Sequence, residues 1–236
     1  ASTKPKVLLW VDTFNNSFHP EIAESALKVL QQAGFEVLLP KKSYCCGRPL
    51  YDFGFLDQAK RYLKTIIADL RSEIREGTPF VFLEPSCASV FRDELGNLFP
   101  HDLDALRLSK QCLMLSEFLI QRVPDFAWPQ VAAQALVQGH CHHQSVLNFK
   151  DEQSALMKMG LDYEVMDSGC CGMAGSFGFS EKHYPIAKAA GERVLLQKVR
   201  AAKAETLIIA DGFSCREQIR QESGRIAKHL AEILDR

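Results

Sequence analysis

At 236 residues, 47% hydrophobic and 24% charged, the chain has the composition of a globular protein of one domain or two small lobes, which excludes a disordered or collagen-like chain. Lys+Arg 28 against Asp+Glu 29 leaves a net charge of −1, so nothing marks an electrostatic binder of nucleic acid or membrane surface. No apolar run approaches the roughly 20 residues of a membrane span, and the opening ASTKPK has neither an initiator Met nor an apolar signal core, so the expectation is a non-secreted, excised or processed domain.

In chain order, residues 7–12 (VLLWVD) form a short apolar run typical of a buried strand. His19-Pro20-Glu21 opens a helix whose inner stripe is Ile22, Ala26, Leu27, Leu30 and Ala33, and Gly34 ends it. A strand is expected at 35–39, a loop at Cys45-Cys46-Gly47, a helix at 56–74 and a strand at 80–83, after which Glu84-Pro85-Ser86-Cys87 enters another helix. One further helix is expected over 103–120, with Cys112 as a buried core thiol at helical spacing. Two prolines bracket 123–129, and this stretch marks the seam between a first lobe, 1–127, and a second, 128–236.

The second half repeats the first. A strand at 135–138 ends in Gly139-His140-Cys141-His142-His143, a helix covers 145–159, and a strand follows at 163–166. The loop Cys170-Cys171-Gly172 leads to a helix at 182–201, a strand at 206–210 and a last pair of helices entered by Gly212-Phe213-Ser214-Cys215. Cys46 precedes Cys87 by 41 positions and Cys171 precedes Cys215 by 44, so the halves agree in order and spacing. The expected fold is α/β, two pseudo-symmetric Rossmann-like lobes with parallel sheets and one Cys-Cys-Gly repeat in each.

The eight cysteines are the unusual feature. Adjacent cysteines bridge each other poorly, and a long chain without an export signal has little use for disulfides. Loops past the carboxyl ends of parallel strands converge on one edge of the sheet, so Cys141, Cys170, Cys171 and Cys215 come together. Four thiolates suit an iron–sulfur cluster or a tetrahedral zinc ion. Gly172 lets backbone N–H groups approach the sulfurs. His140, His142 and His143 either add to such a site or cap and position the following helix; His19 and Asp12 could face the first-lobe thiols, while His101 and His229 read as surface residues. Gly172, Gly175 and Gly178 lack the spacing of a dinucleotide loop, and Phe177 and Phe179 suggest a packed segment.

These repeats resemble the cysteine-rich CCG domain found in the B subunit of heterodisulfide reductase, the iron–sulfur subunit of glycolate oxidase and the C subunit of anaerobic glycerol-3-phosphate dehydrogenase. The strings WVDTFNNSFHPE, CCGRPLYDFG, LEPSCASVFRDEL, GHCHHQSVL, DSGCCGMAGSFGF and ADGFSCREQI are similar to the carboxyl-terminal iron–sulfur part of FAD-linked D-2-hydroxyacid (D-lactate and D-2-hydroxyglutarate) dehydrogenases. The resemblance implies a 4Fe-4S-type cluster on Cys141, Cys170, Cys171 and Cys215, with Gly172, His140, His142 and His143 around it. It makes Cys45, Cys46 and Cys87, with Gly47, Asp12 and His19, a second and weaker site. That site departs from the family: Asp12 stands where the second lobe has Cys141, and neither Cys87 nor Cys215 has the Cys-x-x-Cys partner common there.

The implied role is electron transfer within an oxidoreductase. FAD would be carried only by a partner dehydrogenase domain or subunit, and the acceptor would be a quinone or another iron–sulfur protein. The location would be cytoplasmic, or peripheral to the inner face of the membrane, and the isolated chain would not be catalytic. The competing reading is a stand-alone zinc-binding or thiol-redox module.

Overall fold

The structure is a computed structural model that describes residues 4–236, so the first half of the opening ASTKPK lies outside the described residues. Its chain divides into two compact units. One comprises the residues up to Ala127 with Asp235, the other Trp128–Leu234 with Arg236.

The first unit is built on four parallel strands, β1 (Lys6–Trp10), β2 (Glu36–Leu38), β3 (Phe80–Phe82) and β4 (Cys112–Met114), in the order β2-β1-β3-β4. The central strands β1 and β3 are buried along almost their whole length, as their continuous apolar runs require. Trp10 stacks on Phe82 at 5.5 Å and meets the edge of Phe91 at 4.9 Å, which fills the space beneath the strand ends. The Pro20–Gln32 helix covers the sheet with Ile22, Ala26, Val29 and Leu30. Val29 replaces the expected Leu27 and Ala33, a rotation of the buried stripe by less than a turn.

Helical periodicity overran the chain at three places. The helix expected over 103–120 is two helices, Leu103–Gln111 and Leu115–Arg122, separated by β4. Cys112 pairs with Phe80 in register, so a residue at helical spacing with Leu108, Leu115 and Leu119 lies in an edge strand instead. The thiol is nevertheless buried in the core, as expected. The helix at 56–74 breaks at Leu70 (φ −104°, ψ 16°) into Leu56–Asp69 and Arg71–Glu76. In the second unit the helix at 182–201 breaks at Val194 (φ −145°, ψ −55°) into Tyr184–Glu192 and Leu195–Ala201.

The second unit carries three parallel strands, β5 (Gln134–Val137), β6 (Asp162–Val165) and β7 (Leu207–Ile209), in the order β6-β5-β7. In both units the first strand of the half is central, with the second and third on its two sides. The chain therefore reverses direction across the sheet between the first and third strands, where parallel sheets open a crevice at their carboxyl edge. Met166, Met173, Leu196, Val199, Ile208 and Ile219 form the core around this sheet. Instead of one helix at 145–159, short Cys141–Ser145 is followed by Phe149–Lys158.

Candidate metal centre

Each Cys-Cys-Gly loop follows the same local geometry. Gly172 has φ +99° and its N–H donates to Cys170 Sγ at 3.3 Å. Gly47 has φ +85° and its N–H donates to Cys45 Sγ at 3.5 Å. The left-handed turn at glycine folds the amide back onto the sulfur two residues earlier, which is the physical content of the motif.

In the second unit three strand-end loops bring four thiols together. Cys141 opens the helix after β5, Cys170 and Cys171 follow β6, and Cys215 lies in the first turn of Phe213–Ser223 after β7. The sulfurs form a contact chain, Cys141 to Cys170 to Cys171 to Cys215. Cys170 is held well below the ordinary thiol range because the Cys141 and Cys171 thiols bond to its sulfur, with the Gly172 N–H and the field of His140 adding to the effect against burial. Cys141 and Cys171 move up in turn, because each gives its proton to Cys170 and each is partly or wholly buried. A bound cation would displace the thiol protons.

The loop is braced from β5: Gln138 Nε2 donates to the Gly169 carbonyl at 3.1 Å, and Ser168 Oγ donates to Gln138 Oε1. His140 Nδ1 accepts the His142 N–H at 3.1 Å, capping Cys141–Ser145. The same nitrogen is 4.0 Å from Cys141 Sγ, and His140, Cys141 and His142 each offer a ligand atom within 4.8 Å of the others, so both readings of these histidines, as helix cap and as part of a metal site, have a place in the geometry. His142 lies beside Cys141, with its N–H lowering that thiol. His143 is turned inward, fully buried, with Nδ1 3.0 Å from Glu152 Oε2.

The first unit gathers Cys45, Cys46 and Cys87 in the same way. Its electrostatics differ. Cys87, despite the lowering contact with Cys46, is pushed up to about 11 by burial and by the Asp12 and Glu84 carboxylates. Cys45 is raised by its contact with Cys46 and by burial, and Cys46 by Cys87 and burial against the opposing contact with Cys45. Asp12 accepts the N–H groups of Phe14 (2.9 Å) and Asn15 (3.1 Å) and the Asn15 side-chain amide, so it is the cap of Thr13–Ser17. His19 sits at the surface 3.0 Å from Glu21.

One surface assignment is reversed: His229 is completely buried beside Asp211. Phe177 stacks on His183 at 4.2 Å and Phe179 on Phe213 at 6.4 Å, though both rings stay partly exposed. Gly172 and Gly178 owe their place to packing: a Cβ on Gly172 would stand 2.0 Å from the Ala187 carbonyl oxygen, and one on Gly178 would stand 2.8 Å from Met173 Cα. Sequence reasoning gave no role to Glu84, Glu152 or Asp211, all buried. The signal for two of them was available, because Glu84 and Asp211 stand just past the third strand of their halves, three and four residues before Cys87 and Cys215.

Two thiol-bearing parallel α/β halves, each with a Cys-Cys-Gly turn at the sheet's carboxyl edge, define a duplicated cysteine-rich protein. Residues 12–92 and 139–220 match the cysteine-rich CCG domain family, and the chain belongs to that family. It is 26% identical over 239 residues to the C subunit of anaerobic glycerol-3-phosphate dehydrogenase from Escherichia coli (strain K12), covering 99% of this chain and 59% of that protein. The chain thus spans about 59% of the length of that relative. It is 27% identical over 243 residues to lactate utilization protein A 2 of Bacillus cereus (strain AH820), covering 97% of each. Lactate utilization protein A 2 of Bacillus anthracis gives the same identity and coverage. Among the described residues no helix is long and apolar enough to cross a membrane.

Proposed function

We propose that the chain is an electron-transfer unit of a dehydrogenase, with Cys141, Cys170, Cys171 and Cys215 as ligands of an iron–sulfur cluster of the 4Fe-4S type. The observation that carries this reading is the contact chain of four thiols from three strand-end loops. The donor set fits: it is all sulfur, soft, partly exposed at Cys141 and Cys170, and backed by the Gly172 N–H. Such a cluster supplies one-electron acceptance and release. The chain's own residues hold the sulfurs in register and orient the Cys170–Gly172 turn through Gln138.

The electrons come, in this reading, from a flavin on a partner domain or subunit that oxidises a 2-hydroxy acid of the D-lactate or D-2-hydroxyglutarate kind. They leave to a quinone or to another iron–sulfur protein on the cytoplasmic side of a membrane. The names of the relatives, which concern glycerol-3-phosphate dehydrogenase and lactate utilisation, support a dehydrogenase setting. The first unit, with Asp12 committed to a helix cap, binds a cluster more weakly or not at all.

Anaerobic reconstitution with iron and sulfide tests the proposal. The expected result is uptake of both with broad visible absorption, lost in Cys171→Ser and little changed in Cys45→Ala. A zinc site would take up metal without sulfide and stay colourless, and normal iron uptake by a variant lacking all four cysteines would refute the assignment. Without a flavin partner the chain is expected to leave D-lactate and D-2-hydroxyglutarate unoxidised in a dye-linked assay.

A further inference from the structure

We propose that His143, Glu152 and Asp211 form a sulfur-free site for one divalent transition-metal ion, such as Mn2+, inside the Trp128–Leu234 unit. The inference does not rest on the iron–sulfur reading, and no thiol takes part in it. His143 comes from the short helix after β5, Glu152 from Phe149–Lys158, and Asp211 from just past the end of β7. One ring nitrogen and one oxygen from each carboxyl all lie within 4.8 Å of one another. The three residues are 0%, 1% and 3% exposed.

Burial is what makes this arrangement informative. Acidic groups clustered on a surface cost nothing, but two carboxyl groups facing each other away from water must keep a proton or share a cation. Glu152 Oε2 lies 3.0 Å from His143 Nδ1, yet it receives no aligned hydrogen bond. A buried carboxylate oxygen without an aligned donor, set beside a ring nitrogen and a second carboxyl, is placed as ligands around a common point are.

The surroundings orient these donors. Asp211 Oδ1 accepts the Leu230 N–H at 2.9 Å and lies 3.5 Å from His229 Nε2. His229 Nδ1 accepts the Ala231 N–H at 2.9 Å, so in the neutral ring the proton sits on Nε2 and faces Asp211. His229 is thereby a positioning residue, because ligating carboxylates are ordinarily fixed by such an outer donor. Arg216 donates to the Ala210 carbonyl at 3.2 Å and to the Asp211 carbonyl, which fixes the backbone that carries Asp211. The edge of Phe149, 5.1 Å from His143, braces the ring. One nitrogen and two carboxylate oxygens are harder donors than thiolates and favour Mn2+, Fe2+ or Zn2+ over Cu(I) or a cluster. A cation there would tie the segments that carry Cys141 and Cys215 to one another.

The probe is Mn2+, which thiolates bind poorly. The full chain is stripped with chelator, refolded with Mn2+ so that entry is not limiting, dialysed, and assayed for metal and for the signal of free Mn2+ by electron paramagnetic resonance. The expected result is close to one Mn2+ per chain, bound at least tenfold more weakly by Glu152→Gln and Asp211→Asn and unchanged by Cys171→Ser or by the exposed Glu164→Gln. No retained Mn2+, or equal retention by Glu152→Gln, would overturn the proposal, and so would loss in Cys171→Ser. If both carboxylate variants fail to fold, the wild-type chain decides: Mn2+ should broaden the ring resonances of buried His143 and His229 before that of exposed His101. Equal or reversed broadening refutes the site.

Discussion

Gly172→Ala should be far more damaging than Gly47→Ala, although the two glycines hold equivalent places in the repeat. Both have positive φ, +99° and +85°, and an L side chain in that region costs about 1–2 kcal/mol. The difference is steric. A Cβ at Gly172 would lie 2.0 Å from the Ala187 carbonyl oxygen and 2.8 Å from its carbon, both backbone atoms of the Tyr184–Glu192 helix. A Cβ at Gly47 would meet only Tyr62 Cδ1 at 3.5 Å, an ordinary contact. Relieving the clash at Gly172 means moving the helix, and overpacking of that kind costs about 1–3 kcal/mol more. Gly172→Ala should therefore lose about 2–5 kcal/mol from its unit and Gly47→Ala about 1–2 kcal/mol from the other.

Amide hydrogen exchange resolved by peptide reads the two units separately, and each 1.36 kcal/mol is a tenfold change in the open population. Gly172→Ala should accelerate exchange in core peptides of 128–234 by at least about thirtyfold at the low end of that range and leave 4–127 unchanged. Equal effects of the two substitutions would show that the close approach to Ala187 is not a constraint in solution.

Three other outcomes follow from the same geometry. Phe82→Ala empties a fully buried site between Trp10 and Phe91 and should cost about 3–5 kcal/mol, with a shift of Trp10 fluorescence marking the first unit. Cys112, raised well above the usual thiol range by burial, should resist alkylation near neutral pH until the chain unfolds, while Cys170 in the metal-free chain reacts first. Asp104 is held below the usual carboxylate range first by its bonds from Arg75, against a raising effect of burial, and further by Arg107. Its contribution is present above the ordinary value of 3.8 and is lost as pH falls through the lowered one, so Asp104→Asn should flatten the acid limb of a stability profile.

Much of the fold was legible because the repeat and the apolar runs are strong signals. Continuous stretches such as VLLW and FVF, short and rich in β-branched and aromatic residues, favour interior parallel strands, and both are. The failures share a cause. Cys112 fits a helical stripe with Leu108, Leu115 and Leu119 as well as it fits a strand, and pairing with β3, a tertiary contact, decides between them. His229 reads as a surface residue because one polar side chain in a helical pattern is usually outside; its burial depends on Asp211, 18 positions earlier. The cysteines could be grouped from spacing alone, since strand ends converge. Glu152 could not, because an acidic residue in the first turn of a helix is ordinary at a solvated helix start and nothing in its neighbourhood announces a partner.

The contrast between the two thiol groups comes down to what stands at the end of the first strand. In the second unit it is Cys141, whose thiol bonds to Cys170 and lowers it. In the first it is Asp12, buried, raised by burial and by Glu84 against its bonds to Asn15 and Phe14, and adding to the electrostatic cost of ionising Cys87. Metal binding requires deprotonated thiols, so a carboxylate in that place both removes a soft ligand and makes the remaining sulfurs harder to ionise. Asp12→Cys should reverse both effects. It forfeits a helix cap, at about 1 kcal/mol, and supplies a fourth thiol to Cys45, Cys46 and Cys87. Anaerobic reconstitution should then roughly double the iron and sulfide taken up relative to the parent chain, and Cys45→Ala in the same background should remove the gain. If Asp12→Cys folds, by circular dichroism, yet binds no more iron, the first unit lacks more than a ligand and the electrostatic account of its weakness is wrong.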